Sequence, residues 1–164
     1  MRTNNSKVKN VIISMYFILI VLAILLATLF SAFSDLTNSP TLTFFSVIGV
    51  FVLLFFLAHK VSKYFEYDSD GVQVVVINRG LLLSDYFNYR EHKLEFEKEN
   101  LVGYKFNNYL VYKNLVLYVK SRHNHKKREE FNVTLVSRKK RKYIRQSLSK
   151  IIKHNRNLKK QIND

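Results

Sequence analysis

Apolar positions along the chain follow two unlike patterns. Residues 11–33 carry no charge, residues 42–58 are mainly Phe, Leu and Val, and from residue 63 onward apolar residues alternate with polar ones. As a helix at about 1.5 Å per residue, the first run would span about 34 Å, slightly more than the roughly 30 Å hydrocarbon core of a bilayer. Its polar interruptions, Ser14, Thr28 and Ser31, carry hydroxyls that can bond back to helix carbonyls. The second run, counted over 41–59, is just long enough to cross. Both are apolar on every face, unlike the helices of a soluble hairpin. Arg2, Lys7 and Lys9 ahead of an apolar run also describe a signal peptide. Such a peptide has an apolar core of only about 7–15 residues, and here a second run follows at once. The pattern predicts an N-terminal tail over 1–10 and transmembrane helices over 11–33 and 41–59, with a turn over 34–40 between them.

The turn reads Ser-Asp-Leu-Thr-Asn-Ser-Pro. Asn38 and Ser39 suit a turn, and Pro40 can open the second helix where a missing N–H does no harm. Asp35 is its only charge and is read as a solvated carboxylate. Cations flank the outer ends instead: Arg2, Lys7 and Lys9 before the first span, Lys60 and Lys63 after the second. The positive-inside rule then predicts an integral protein of two spans with both termini cytoplasmic.

Residues 63–68 alternate as a half-buried strand does, Asp68-Ser69-Asp70-Gly71 is a turn, and residues 72–77 are rich in β-branched side chains. Arg79-Gly80 predicts another turn. Leu94 and Phe96 alternate with charged neighbours, residues 101–112 and 115–121 form a strand pair parted near Lys113-Asn114, and Phe131, Val133 and Leu135 alternate with Asn132 and Thr134. Ser137 can cap a helix in which Ile144, Leu148, Ile151 and Ile152 recur at helical spacing. The fold class predicted is a two-helix transmembrane hairpin followed by a small α+β domain over 60–157, with a short tail over 158–164.

The segments KYFEYDSDGVQVVVI, LVGYKFNNYLVYKNLVLYVKS and FNVTLVS, followed by the amphipathic RKKRKYIRQSLSKIIKHN, resemble those of bacterial membrane-anchored proteins with a pleckstrin-homology-like (PH-like) domain. The resemblance rests on element order and texture. It implies a seven-stranded, partly open antiparallel barrel capped by the C-terminal helix, an inner-membrane location, and no catalytic residues. Eukaryotic members of this superfold typically carry a Trp in that helix and this chain has no Trp, so phosphoinositide binding does not carry over.

Charge adds one further lead. Twenty-seven Lys and Arg against 12 Asp and Glu give +15, which favours anionic partners, although a composition rich in Lys, Asn, Ile, Phe and Tyr also follows from an AT-rich genome. Two basic clusters stand out. Arg122, Lys126, Lys127 and Arg128 are read in a loop before a strand over 130–136; Arg138, Lys139, Lys140, Arg141, Lys142 and Arg145 start the helix. Cations in a first helical turn oppose the macrodipole at about 0.3–1 kcal/mol each, which a phosphate would relieve. Long side chains spread into salt water account for the same run without a ligand.

Other signals are weaker. Residues 68–71 open like a calcium loop but lack its later ligands. His123 and His125 have no carboxylate to complete a metal site. No cysteine is present, and no phosphate loop or nucleophile elbow occurs. No cofactor and no enzymatic activity are expected. Two functional classes follow: a membrane-tethered module binding anionic lipid headgroups or a membrane protein partner, or a small effector or immunity-type protein whose hairpin is the active part. Deleting the soluble domain separates them, since only the second could survive it. Nucleic acid is a poor third, because most of the aromatics lie in the spans or at core-facing positions.

Overall fold

A computed structural model of the chain describes residues 1–33, 40–80, 91–121 and 125–163. The turn at 34–39 with Asp35, and residues 122–124 with Arg122 and His123, lie outside the described residues. Helices α1 (Val8–Phe33) and α2 (Pro40–Val61) pack as a pair, with Tyr16 edge-on to Phe55 at 5.3 Å. Each holds a stretch long and apolar enough to cross a membrane, and only 6% of either stretch is buried. Phe17, Phe45 and Phe56 are among the large side chains left facing outward.

The rest of the chain forms two antiparallel sheets and a helix. Strands β1 (Arg2–Asn4), β2 (Lys63–Asp68), β3 (Gln73–Gly80) and β4 (His92–Glu97) make the first sheet in that order. Strands β5 (Leu101–Asn108), β6 (Lys113–Lys120) and β7 (Lys126–Asn132) make the second, and α3 (Arg138–Asn163) closes the domain. The strands stay in two ladders and do not form a closed barrel. Between them the apolar alternation places Phe65, Tyr67, Val74, Val76 and Phe96 against Leu115, Leu117 and Phe131, all buried, with Ile144, Leu148 and Ile151 of α3 completing the core.

Four expectations change. The N-terminal tail supplies β1, paired across the whole helix hairpin with β2 (Arg2↔Asp68, Asn4↔Glu66). Asn5 extends this join through its side chain, which donates to Lys63 O at 3.0 Å and accepts from Phe65 N at 2.8 Å. Arg79 and Gly80 do not turn; they pair with Tyr64 and Lys63 at the end of β3. The last strand starts at Lys126 and stops at Asn132, because Asn132 Oδ1 accepts from Thr134 N at 2.9 Å and turns the chain. The tail expected over 158–164 is helical as far as Asn163.

The two sheets meet at a polar seam. Asn78 Nδ2 donates to Tyr64 O and to Asn132 O, while Asn78 Oδ1 accepts from Asn132 N. His92 of β4 stacks on Phe131 of β7 at 4.6 Å, with its Nε2 2.7 Å from Glu129 Oε2. Burial raises the Glu129 carboxyl, but the hydrogen bonds and charges of Lys127 and His92 outweigh it and hold its pKa below the ordinary 4.5. A depressed carboxyl stabilises the fold fully above the unfolded value and loses that contribution as pH falls through the lower folded value. Glu129→Gln should therefore cost about 0.5–1 kcal/mol at neutral pH and flatten the decline in melting temperature below about pH 4.5. An unchanged acid slope in thermal melts would remove Glu129 from the seam's energetics.

A basic cleft at the start of the last helix

Ser137 precedes α3, and both its groups serve the first turn: Oγ accepts from Lys140 N at 3.4 Å and the carbonyl from Arg141 N at 2.9 Å. Once Ile144, Leu148 and Ile151 are committed to the core, helical geometry sends other positions outward. Arg138, Lys139, Arg141, Lys142 and Arg145 line an open cleft of about 790 Å³, whose other wall is Phe106 and Asn108 of β5. The Arg145 guanidinium sits 5.2 Å above the Phe106 ring, and Tyr104 OH bonds Ser149 Oγ at 2.7 Å, fixing α3 against β5. Burial, with Arg138 and Arg145 nearby, lowers the Arg141 pKa from its usual value. The guanidinium stays protonated, and burial is the larger cause of the shift.

Four other cations of the domain do have carboxylate partners. Lys127 pairs with Glu129 at 2.7 Å, Arg128 with Glu130, Lys93 with Glu95 at 2.6 Å and Arg2 with Glu66 at 2.8 Å. Two members of the first predicted cluster thus spend their charge along their own strand. They lie with Lys126 in β7, not in a loop, because residues i and i+2 of a strand share a face and the carboxylates two positions on hold them there. Among the described residues, the five cations of the cleft form no ion pair, and α3 has no acidic residue in its first turn. Lys140 points elsewhere, donating to Asn4 O beside the start of α1.

That contact also locates the cleft within the domain. Asn132 Nδ2 donates to Lys60 O in the last turn of α2 at 2.9 Å, and Lys140 reaches Asn4 just before α1. The start of α3 is therefore at the end of the domain from which both apolar helices leave. Lys126, at the other end of β7, is about 20 Å away at roughly 3.3 Å per residue. Among the described residues, Lys126 of the first cluster does not come together with the second.

No family model, no curated protein and no solved structure matches this chain.

The chemistry of the cleft follows from its own residues: an aromatic floor, an amide and five cations suit a multivalent anion such as a phosphate ester. Several organising residues gave little sign in the sequence. Asn155 is buried and its Nδ2 faces the carbonyls of Lys98, Glu99 and Leu101, pinning α3 over the 3-10 turn Lys98–Asn100. Its spacing of four from Ile151 was the available signal: an amide on a core-facing helical stripe. Asn5 gave none, lying in a polar segment far from its partners.

Proposed function

We propose that this protein is a non-enzymatic, membrane-tethered binding module. In this reading α1 and α2 cross the bilayer as a hairpin, the sheet domain lies on the cytoplasmic side, and the basic cleft holds anionic lipid headgroups. The observation that carries it is the position of the uncompensated charge. Five cations without carboxylate partners among the described residues line a cleft at the end of the domain joined to both apolar helices. A four-stranded sheet, a three-stranded sheet and a C-terminal helix, in that order, support the PH-like resemblance. They add a variation in which the first strand precedes the spans.

Near an anionic leaflet each cation contributes about 1 kcal/mol of attraction, and only within a Debye length of about 10 Å at 0.1 M salt. The test uses the full chain in mixed vesicles containing spin-labelled phosphatidylglycerol or spin-labelled phosphatidylcholine. The protein should immobilise the anionic lipid in excess over the zwitterionic one. Changing Arg138, Lys139 and Lys142 together to Gln should abolish most of that excess, as should raising the salt, with little change in melting temperature. If the triple variant keeps the full excess at low salt, the cluster is a solvated helix face and the headgroup reading is wrong.

A further inference from the structure

Outside α1 and α2, the described residues expose few large apolar side chains: Val72, Tyr109, Leu110, Val111 and Tyr143. Three of these five fall in one turn. Tyr109 N donates to Tyr112 O at 2.8 Å and the two rings stack at 6.5 Å, leaving Leu110 and Val111 as the two-residue tip between β5 and β6. Leu110 is 102% exposed, as open as a side chain in an isolated peptide. Local folding does not ask for these residues. Two-residue hairpin turns favour Asn, Asp and Gly, and a β-branched residue is a poor choice there.

The position of the tip supplies what the turn chemistry does not. Asn114 of β6 is opposite Asn132, whose side chain bonds Lys60 O in α2, and Lys113 N donates to Thr134 Oγ1 at 2.9 Å. The tip lies three to four residues beyond Asn114 on that same side, about 10 Å farther along the strand direction. Phe106 and Asn108, just before the tip, form one wall of the basic cleft. Apolar tip, paired tyrosines and cations thus follow one another along the domain end that carries both apolar helices. Interfacial segments of membrane proteins show this order, with apolar side chains among acyl chains, Tyr at headgroup level and Lys or Arg on the headgroups.

We infer that the turn over 109–112 is a wedge that enters the interfacial layer of the leaflet from which α1 and α2 emerge, placing Leu110 and Val111 against the acyl chains. This rests on the reading that the two helices cross a bilayer. It does not require that the cleft select anionic lipid, because the wedge is held by apolar contact. It fixes the domain at a third point on the surface and holds the cleft over the headgroups.

The chain has no cysteine, so single-site labels can be placed in otherwise unchanged protein. Leu110→Cys, Val72→Cys and Leu22→Cys, each spin-labelled on the full chain, are compared in phosphatidylcholine vesicles and in vesicles with added phosphatidylglycerol. Val72 is 81% exposed in the β2–β3 turn, at the end of the first sheet away from the α2 junction, and Leu22 lies within α1. Collisions with lipid-soluble oxygen and with a water-soluble nickel chelate report depth. The expected result is an oxygen-to-nickel ratio at 110 several-fold above that at 72 in both lipids, and closer to that at 22. An aqueous ratio at 110 in both lipids, with a lipid ratio at 22, overturns the wedge and leaves the spans and the cleft untouched. A lipid ratio at 110 only with phosphatidylglycerol also overturns it, since charge would then be drawing the tip down. An aqueous ratio at 22 overturns the transmembrane reading on which both proposals stand.

Discussion

The domain cut free as residues 60–164 should fail to melt cooperatively, whereas the same domain with residues 7–62 replaced by a short flexible turn should fold and melt as one unit. The difference between the two chains is β1 and Asn5. Residues 2–4 pair with β2, the Asn5 side chain holds Lys63 O and Phe65 N, Arg2 bonds Glu66 at 2.8 Å and Lys140 reaches Asn4 O. Removing them leaves one flank of β2 unpaired and orphans backbone groups beside a buried Phe65. An unsatisfied buried group costs about 1–3 kcal/mol, and a domain of this size typically has only about 5–15 kcal/mol in all. An uncovered flank of β2 is also a template for aggregation. Because Asn4 lies opposite Glu66 in the ladder, a short turn can replace everything between Ser6 and Lys63. Circular dichroism with thermal melting decides the matter, and equal melting temperatures for the two chains would show that β1 is an ornament.

The alternating apolar positions over 60–164 by themselves predict a fragment that folds without the spans; β1 changes that expectation, and the sequence conceals it for a physical reason. Alternation exposes a strand only when it is several residues long and has one apolar face. Residues 63–68 and 73–77 meet that condition, and so does the helical stripe Ile144, Leu148, Ile151. Arg2-Thr3-Asn4 has neither length nor an apolar face, and its pairing partner lies some sixty positions away. At β7 the charged run over 126–130 looks like a loop, because the carboxylates that neutralise Lys127 and Arg128 are its own neighbours. For the candidate site, the basic run at 138–145 was visible, but its division was not. Only the fold shows that Lys140 leaves the group and that Phe106 and Asn108 join it. The tip at Leu110 was hidden for a related reason, since an apolar pair inside a strand-like run reads as more strand.

Leu148→Ala should lower stability by about 2–5 kcal/mol, the usual range for emptying a well-packed site. Leu148 is fully buried, between Ile144 one turn before it and Ile151 after it, in the core cluster to which both sheets contribute. At about 4–8 °C per kcal/mol for a domain of this size, the melting temperature should fall by at least about 8 °C. Ile152→Ala, at a partly buried position on the rim of the same cluster, should cost clearly less. Neither change touches the cleft cations, so lipid selectivity of the folded protein should persist. A drop no larger for Leu148→Ala than for Ile152→Ala would mean that α3 does not seal the core.

Because β1 and β2 are neighbouring strands of one ladder, residues 4 and 66 must end on the same side of any membrane that the intervening chain enters. The number of crossings between them is therefore even. A chain that crosses only once leaves the two strands on different sides and cannot complete the first sheet. Order of synthesis sharpens the point: β1 leaves the ribosome first, and its partner arrives only after both helices have been made. In the proposed hairpin the strand can engage only once the helices have returned the chain to its starting side. A complete first sheet therefore marks a chain that has returned to its starting side, and a chain that has not returned keeps an open β2 flank.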